Sequence, residues 1–130
     1  MQIDIYKITD KHENLDHNNG LFIKLKPIKG ASLSAREYFS RFNKYYSKTG
    51  NLLTPSELGC TLSHLEVYKK IIERNVGAII FEADIKLNEK LIAEAIEVIC
   101  RVKKNFVHLG WHPDVCKSIF FWGQATDVKC

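Results

Sequence analysis

The chain has 130 residues, of which 45% are hydrophobic and 26% are charged. This length allows one substantial hydrophobic core but not two, and the composition excludes a largely disordered chain. The formal net charge of +4 comes from lysines spread along the sequence rather than from a basic stripe. We therefore expect no nucleic-acid binding, and the charge gives mild support to an anionic ligand.

The N-terminus and the cysteines predict a cytoplasmic protein. Residues 1–5 contain no basic segment followed by an apolar run, and no stretch of the sequence is long enough to span a bilayer. The four cysteines form no Cys-x-x-Cys pair, which favours reduced thiols. Cys60 and Cys100 occur in apolar helical patterns, so we expect both in the core.

The first part of the chain predicts a strand, a loop and a second strand. An apolar segment at residues 3–8 ends in the polar residues 9–11. A partly alternating segment at residues 20–28 is followed by Gly30, which together with a proline stops it.

Residues 34–46 predict a helix that Gly50 ends. Its aromatic residues recur at helical spacing, which is typical of a face packed into the core, although one of them could stack on a base or a sugar. These aromatic residues are Tyr38, Phe39, Phe42, Tyr45 and Tyr46.

The strongest local signal for a helix is Thr54-Pro55-Ser56-Glu57. It combines a capping threonine, a proline at the first helical position and a glutamate three residues after the cap. Asn75 and Gly77 predict the end of this helix. Its apolar residues on one arc are Leu58, Leu62, Leu65, Tyr68, Ile71 and Ile72.

The rest of the chain alternates between strands and one further helix. Residues 76–81 form a compact apolar run, typical of a strand that is buried on both faces. Residues 88–104 predict an amphipathic helix, and residues 106–109 and 119–122 predict two more strands. Strands alternating with helices predict a single α/β domain over residues 1–130, with a mainly parallel sheet flanked by helices.

Two carboxylates follow the buried strand, in Glu82-Ala83-Asp84. Ligands of open α/β sheets bind outside the carboxyl ends of the strands. Because side chains alternate along a strand, Glu82 and Asp84 would share a face if strand geometry extends that far. Such hard oxygen ligands suit Mg²⁺ or Mn²⁺. The alternative is that the acids end the strand and are simply solvated.

Two polar residues, Glu57 and His64, occur within the apolar arc of the helix that Thr54 opens. They are seven residues apart and therefore nearly aligned. Buried polar groups need partners, so the two residues either line a site or form a satisfied structural pair. In the structural alternative, which the spacing alone favours, Glu57 serves only the capping box.

A further cluster, His108, His112 and Cys116, has the four-residue spacing of metal ligands on one helical face. Gly110 and Pro113 fall inside the span and make a regular helix unfavourable, so a zinc site here is the less favoured interpretation.

The sequence Glu57-Leu58-Gly59-Cys60-Thr61-Leu62-Ser63-His64, followed by an apolar strand and Glu82-Ala83-Asp84-Ile85, resembles the signature region of glycosyltransferase family 25. This family includes transferases of lipopolysaccharide and lipooligosaccharide assembly. Its pattern runs Gly-Glu-x-Gly-Cys-x-Leu-Ser-His, then an apolar strand that ends in Glu-Asp-Asp. The resemblance covers residues 53–87 well and extends to residues 106–110.

The sequence departs from the family pattern at two positions and in length. Ser56 stands where the family commonly has glycine, and Ala83 replaces the first aspartate of the acidic triplet. Family members usually continue further, so we expect this chain to be the N-terminal, donor-side part of a truncated or incomplete domain.

The resemblance implies a fold and a reaction. The fold is a Rossmann-like, GT-A-type nucleotide-diphosphosugar transferase fold. The reaction is transfer of a hexose from a UDP-sugar, UDP-galactose or UDP-glucose, to a lipooligosaccharide or lipopolysaccharide acceptor. A divalent cation, Mn²⁺ or Mg²⁺, would assist, and the enzyme would contact the inner face of the inner membrane peripherally.

The resemblance also implies site residues. Glu82 and Asp84 are the candidates for holding the metal and the diphosphate. Glu57, Ser63 and His64 are the candidates for lining the donor or acceptor pocket. No catalytic base is named, since a base must lie near the acceptor hydroxyl, and that group is expected in the part of the family domain that follows.

The rival hypothesis is a noncatalytic α/β module that binds a nucleotide or packs against a partner subunit. Truncation and Ala83 favour it. In addition, the apolar run at residues 119–122 near the end of the chain predicts self-association through an uncovered part of the sheet.

Overall fold

The computed structural model describes residues 3–11, 22–102, 106–108 and 119–122. The strands in these ranges are β1 (Ile3–Ile8), β2 (Phe22–Leu25), β3 (Gly77–Phe81), β4 (Phe106–His108) and β5 (Ile119–Trp122). The helices are α1 (Ala35–Thr49), α2 (Pro55–Arg74) and α3 (Glu89–Val102), with a short 3-10 turn at Gly30–Ser32.

The strands form a single sheet in the order β2-β1-β3-β5-β4. β1 pairs in parallel with both β2 and β3, whereas β5 runs antiparallel to β3 and to β4. Four of the five strands therefore point in the same direction. The prediction of an α/β fold with a mainly parallel sheet is confirmed, and the carboxyl ends of β1, β2 and β3 lie at the same edge.

One face of the sheet packs against α3 in an almost entirely apolar core. Ile3 and Ile5 of β1 and Ile79 of β3 contribute to this core, as do the buried residues of α3. Those α3 residues are Ile92, Ala95 and Ile99. Lys7 is also fully buried, and its Nζ donates a hydrogen bond to the carbonyl oxygen of Ile85 at 2.6 Å.

The opposite face of the sheet packs against α2. Tyr6 and Ile8 of β1 and Ile80 of β3 form a second core with the buried apolar residues of the helix. Beside it, the fully buried carboxylate of Asp4 accepts hydrogen bonds from the Arg74 guanidinium. Burial raises the pKa of the nearby Tyr6 hydroxyl, and the Asp4 charge adds to this effect.

The predicted buried arc of α2 is partly wrong. Leu65 and Ile72 are 46% and 66% exposed. The buried residues of α2 are Leu58, Gly59, Ser63, His64, Val67 and Ile71. A glycine and two polar residues therefore occupy the packed face, and a count of apolar residues alone cannot identify such a face.

Helix α1 has well-defined ends, but most of its aromatic residues are not in the core. Ser34 forms a capping box with Glu37, and Gly50 ends the helix with φ of 69°. Among the residues of α1 only Phe42 is buried, while Phe39 is 59% exposed and two tyrosines are also exposed. The expectation that this aromatic face packs into the core is therefore wrong except at Phe42.

Two expectations about cysteines are also corrected. Cys60 is exposed and Cys100 is half-buried, so neither is a core residue. Cys100 is disulfide-bonded, which contradicts the expectation of a reduced thiol at this position.

Strand β5 is not an edge of the sheet, because it pairs with β3 on one side and β4 on the other. The argument for self-association through an open edge at β5 therefore loses its basis, and self-association stays a prediction. Within the described ranges, no helix combines the length and the apolar character that crossing a membrane requires.

Candidate functional site

A cleft of about 420 Å³ lies at the carboxyl ends of β1 and β3. Ile8, the last residue of β1, lines it together with Glu82 and Ala83, which follow β3 directly. The other lining residues come from residues 27–31 after β2 and from the N-terminal half of α2. This edge is where open α/β sheets bind ligands, and the volume is in the range of ordinary small-molecule sites.

The N-terminus of α2 engages Glu57 in a capping box. The Thr54 N–H donates to Glu57 Oε2 at 2.7 Å, and the Glu57 N–H donates to Thr54 Oγ1 at 3.2 Å. The hydrogen bond from the Thr54 backbone, followed by that from its side chain, lowers the pKa of Glu57. Glu57 is exposed and does not line the cleft, so the structure shows the capping role, and a role in binding substrate stays a prediction.

Ser63 joins the helix to the loop on the other side of the cleft. Its hydroxyl donates to the Gly59 carbonyl at 2.7 Å and accepts from the Ile28 N–H at 2.9 Å. The side chain is buried within the protein and also lines the cleft. Ser63 therefore fixes the position of residues 27–31 against α2, whether or not it touches a ligand.

Two glycines allow that loop and α2 to meet backbone to backbone. A Cβ atom on Gly59 would lie 2.5 Å from the Ile28 carbonyl oxygen, and a Cβ atom on Gly30 would overlap the carbonyl oxygen of Pro55. Neither position can carry a side chain without movement of the backbone around it. The glycine within the octapeptide therefore has a packing role.

His64 and Glu82 meet at the inner side of the cleft. His64 Nε2 lies 3.1 Å from Glu82 Oε1, and the two side chains are 11% and 26% exposed. α2 positions the imidazole, and the end of β3 positions the carboxylate. The structure thus brings together two predicted site residues that are 18 positions apart in the sequence.

Asp84 is not part of this contact. β3 ends at Phe81, and the Ile85 N–H donates to the Glu82 carbonyl at 3.2 Å to close a turn. Because the chain turns here, the alternation of a strand does not apply, and the expectation that Glu82 and Asp84 share a strand face is not met. Glu82 lines the cleft, whereas Asp84 is exposed and does not.

Cys60 and Lys29 also line the cleft, and the sequence alone predicts neither of them there. Cys60 and His64 are four residues apart on α2, and this spacing is the signal that could have identified the cysteine. Lys29 Nζ lies 3.9 Å from Asp10 Oδ2, with both side chains largely exposed. No sequence pattern marks Lys29, because its place depends on the contact between its loop and α2.

The ligand atoms of Cys60, His64 and Glu82 all lie within 4.8 Å of one another. In the described part of the chain, this is the group of three or more His, Cys, Asp or Glu residues that could hold a metal ion. The other predicted cluster, His108, His112 and Cys116, falls outside the described residues apart from the backbone of His108.

Comparison with known proteins identifies a family. No curated protein and no solved structure matches the chain. The family described as "Glycosyltransferase family 25 (LPS biosynthesis protein)" matches residues 7–115, a span that contains every residue lining the cleft. The α/β architecture is consistent with the GT-A-type fold that this family implies. The chain therefore belongs to glycosyltransferase family 25, and it is a glycosyltransferase.

Proposed function

We propose that this glycosyltransferase moves a hexose from a UDP-sugar to a lipooligosaccharide or lipopolysaccharide acceptor. The observation that carries the proposal is the cleft at the carboxyl ends of β1 and β3, because residues of the family octapeptide line it. The family description, with its reference to lipopolysaccharide biosynthesis, supports this class of acceptor.

The cleft offers suitable chemistry for a sugar nucleotide. Ile8, Pro27 and Ile28 supply apolar surface, which suits a base or the apolar face of a sugar ring. Lys29 supplies a positive charge for the diphosphate. Because Ser63 and the two glycines fix the walls, the cleft needs little rearrangement to hold such a ligand.

In the proposed transfer, the bond between the anomeric carbon and the diphosphate breaks, and the acceptor oxygen forms a bond to that carbon. The acceptor hydroxyl loses its proton during this step. When no metal ion is bound to them, His64 and Glu82 can hold or move this proton, and the 3.1 Å contact between their side chains limits their orientations. We expect the enzyme to work at the cytoplasmic, inner face of the inner membrane, where it would meet a lipid-linked acceptor. The disulfide at Cys100 removes the argument from reduced thiols, so this location rests on the acceptor class alone.

The divalent cation expected at Glu82 and Asp84, Mn²⁺ or Mg²⁺, fits this arrangement incompletely. Such ions prefer several oxygen ligands. Only Glu82 of the two carboxylates lines the cleft, and its Oε1 already contacts the imidazole of His64. We therefore assign no step of the transfer to this ion, and its binding stays a prediction that mutation of Asp84 tests.

Calorimetric titration of UDP tests donor binding. Lys29→Ala removes a positive charge from the cleft, so we expect UDP affinity to fall about tenfold, equivalent to about 1.4 kcal/mol. Lys48→Ala is the matched control, because it removes an exposed lysine from the last turn of α1, away from the cleft. If the wild-type chain binds no UDP with or without a divalent cation, the assignment of a UDP-sugar donor is wrong.

The same titration with and without Mn²⁺ tests the cation. If Asp84 anchors an ion that bridges to the diphosphate, Asp84→Ala should remove the Mn²⁺-dependent part of UDP binding, a loss of at least about tenfold. Ala83→Asp restores the family's acidic triplet and should strengthen that part. Identical UDP affinity with and without Mn²⁺ in the wild-type chain would show that Glu82 and Asp84 bind no such ion.

A further inference from the structure

We infer that Cys60, His64 and Glu82 form a binding site for a thiophilic divalent cation of the Zn²⁺ class. The site lies in the cleft but does not depend on a sugar nucleotide, so the inference goes beyond the proposed function. It assigns to the cysteine and histidine of the octapeptide a role as metal ligands.

The geometry of the three residues is close to that of a metal shell. Cys60 and His64 lie one helical turn apart on α2, and Glu82 approaches from the end of β3. Their ligand atoms lie within 4.8 Å of one another, with His64 Nε2 and Glu82 Oε1 at 3.1 Å. Tetrahedral Zn²⁺ places sulfur, nitrogen and oxygen ligands roughly 3.4–3.6 Å apart, so closure needs side-chain movement on the order of 1 Å.

The donor set selects the kind of ion. A thiolate is a soft ligand and an imidazole is a borderline one, and together with a carboxylate they suit Zn²⁺ or Co²⁺. Mg²⁺ and Mn²⁺ prefer shells made of oxygen. Glu82 and Asp84 fit a hard cation incompletely, whereas Glu82 forms a compact cluster with a thiol and an imidazole. Both observations favour a cation of the Zn²⁺ class over Mg²⁺ or Mn²⁺.

The surroundings support binding from solution. Cys60 is exposed, which leaves a path for an ion, whereas His64 and Glu82 are largely buried. Ser63 holds the intervening turn of α2 through the Gly59 carbonyl and the Ile28 N–H, so two of the ligands project from a fixed backbone. Three protein ligands leave a fourth tetrahedral position, where an oxygen of a molecule bound in the cleft could coordinate.

Cobalt provides a direct probe. Metal-free chain is titrated with Co²⁺ under argon without added reductant, because Cys100 is disulfide-bonded. We expect one equivalent to bind with a near-ultraviolet thiolate-to-cobalt charge-transfer band and the strong visible absorption of tetrahedral Co²⁺. Stoichiometric Zn²⁺ should remove both signals, and excess Mn²⁺ should not. Absence of the charge-transfer band overturns the inference.

Variants identify the ligands. Cys60→Ser should abolish the charge-transfer band, and Cys60→Ser and His64→Asn should each lower Zn²⁺ affinity at least about tenfold. His112→Asn is the control for the alternative cluster, and Asp84→Asn is the control for the hard-oxygen pair; both should leave Zn²⁺ affinity unchanged. Circular dichroism checks that every variant is folded. Unchanged affinity in Cys60→Ser, or loss of binding in His112→Asn, overturns the assignment.

The two proposals fail separately, because these titrations contain no UDP. A chain that binds UDP but gives no cobalt–thiolate band overturns only the metal site. A chain that binds Zn²⁺ through Cys60 but never binds UDP overturns only the donor assignment.

Discussion

Helices α1 and α2 have the same terminal chemistry but contribute differently to the fold. Each begins at a hydroxyl residue that forms a reciprocal capping box with a glutamate, and each ends at a left-handed residue, Gly50 in α1 and Asn75 in α2. α1 nevertheless buries only Phe42, whereas α2 buries six residues. The caps therefore determine where a helix begins and ends, but they do not determine how deeply it packs.

The difference arises from what each helix touches. α2 packs on the sheet through Val67 and Ile71, and it meets the loop at residues 27–31 through Gly59. α1 packs its aromatic rings largely on one another, with Tyr38 and Phe42 centroids 4.7 Å apart. The helix that lies on the sheet also carries the cleft, because Ser56, Cys60, Ser63 and His64 of α2 line it, whereas no residue of α1 does.

The largest expected effect on stability comes from removing Phe42, the buried residue of α1. Phe42→Ala should lower the free energy of unfolding by about 3–5 kcal/mol, because it leaves a cavity in a packed region. Phe39→Ala, on the same helix but 59% exposed, should cost less than about 1 kcal/mol. Urea denaturation measures both. Equal losses would show that the exposed aromatic residues stabilise α1 as much as its buried one does.

A smaller effect separates two kinds of glycine. Gly30→Ala should destabilise the fold by about 3 kcal/mol, because its Cβ would overlap the backbone at Pro55. Gly50→Ala meets no atom within 4 Å, so its cost should be only the strain of a positive φ, about 1 kcal/mol. Thermal or urea unfolding ranks the two. A greater loss at Gly50 would contradict the close contact between loop and helix.

The smallest expected effect is the pH dependence of stability that the two capping glutamates contribute, Glu37 in α1 and Glu57 in α2. The pKa of Glu37 is lowered chiefly by the Ser34 hydroxyl, and that of Glu57 chiefly by the Thr54 backbone. Because each folded pKa lies below the usual 4.5, this stabilisation is complete above that pH and is lost as pH falls through the folded pKa.

Glu37→Gln and Glu57→Gln keep an oxygen that can accept the capping hydrogen bonds but remove the titration. The wild-type advantage over each variant should therefore be constant near neutral pH and shrink in acid, as measured by urea denaturation from pH 7 to roughly pH 3. An advantage that grows in acid would contradict the shifts in both carboxyl groups.

The sequence was sufficient to predict the order of strands and helices, because short apolar runs and explicit caps are local signals. It was insufficient for the buried face of α2, where Ser63 and His64 are inside and Leu65 is outside. Burial of these polar residues depends on partners that lie elsewhere in the chain, Ile28 for the serine and Glu82 for the histidine.

In the candidate site too, the identity of some residues is predictable from local sequence, whereas their contacts depend on distant parts of the chain. Glu82 and His64 were each identified from the sequence, but their contact depends on how α2 lies across the sheet. The apolar neighbours of Cys60 wrongly predict a core residue, although its four-residue spacing from His64 already indicates a shared helical face. The prediction that Glu82 and Asp84 share a face assumes strand geometry as far as Asp84. It is not met, because the strand ends at Phe81.

The direct backbone contact at Gly30 and Gly59 also affects how this enzyme can diversify. The separation of the two walls is set by main-chain atoms at the two glycines and by the Ser63 hydroxyl, so it does not depend on the other side chains that line the cleft. Small lining residues such as Ala31, Ser56 and Ala83 can therefore be exchanged while the frame keeps its dimensions. Donor preference could drift in evolution, or be redesigned in the laboratory, by substitution at these three positions with the glycines left untouched.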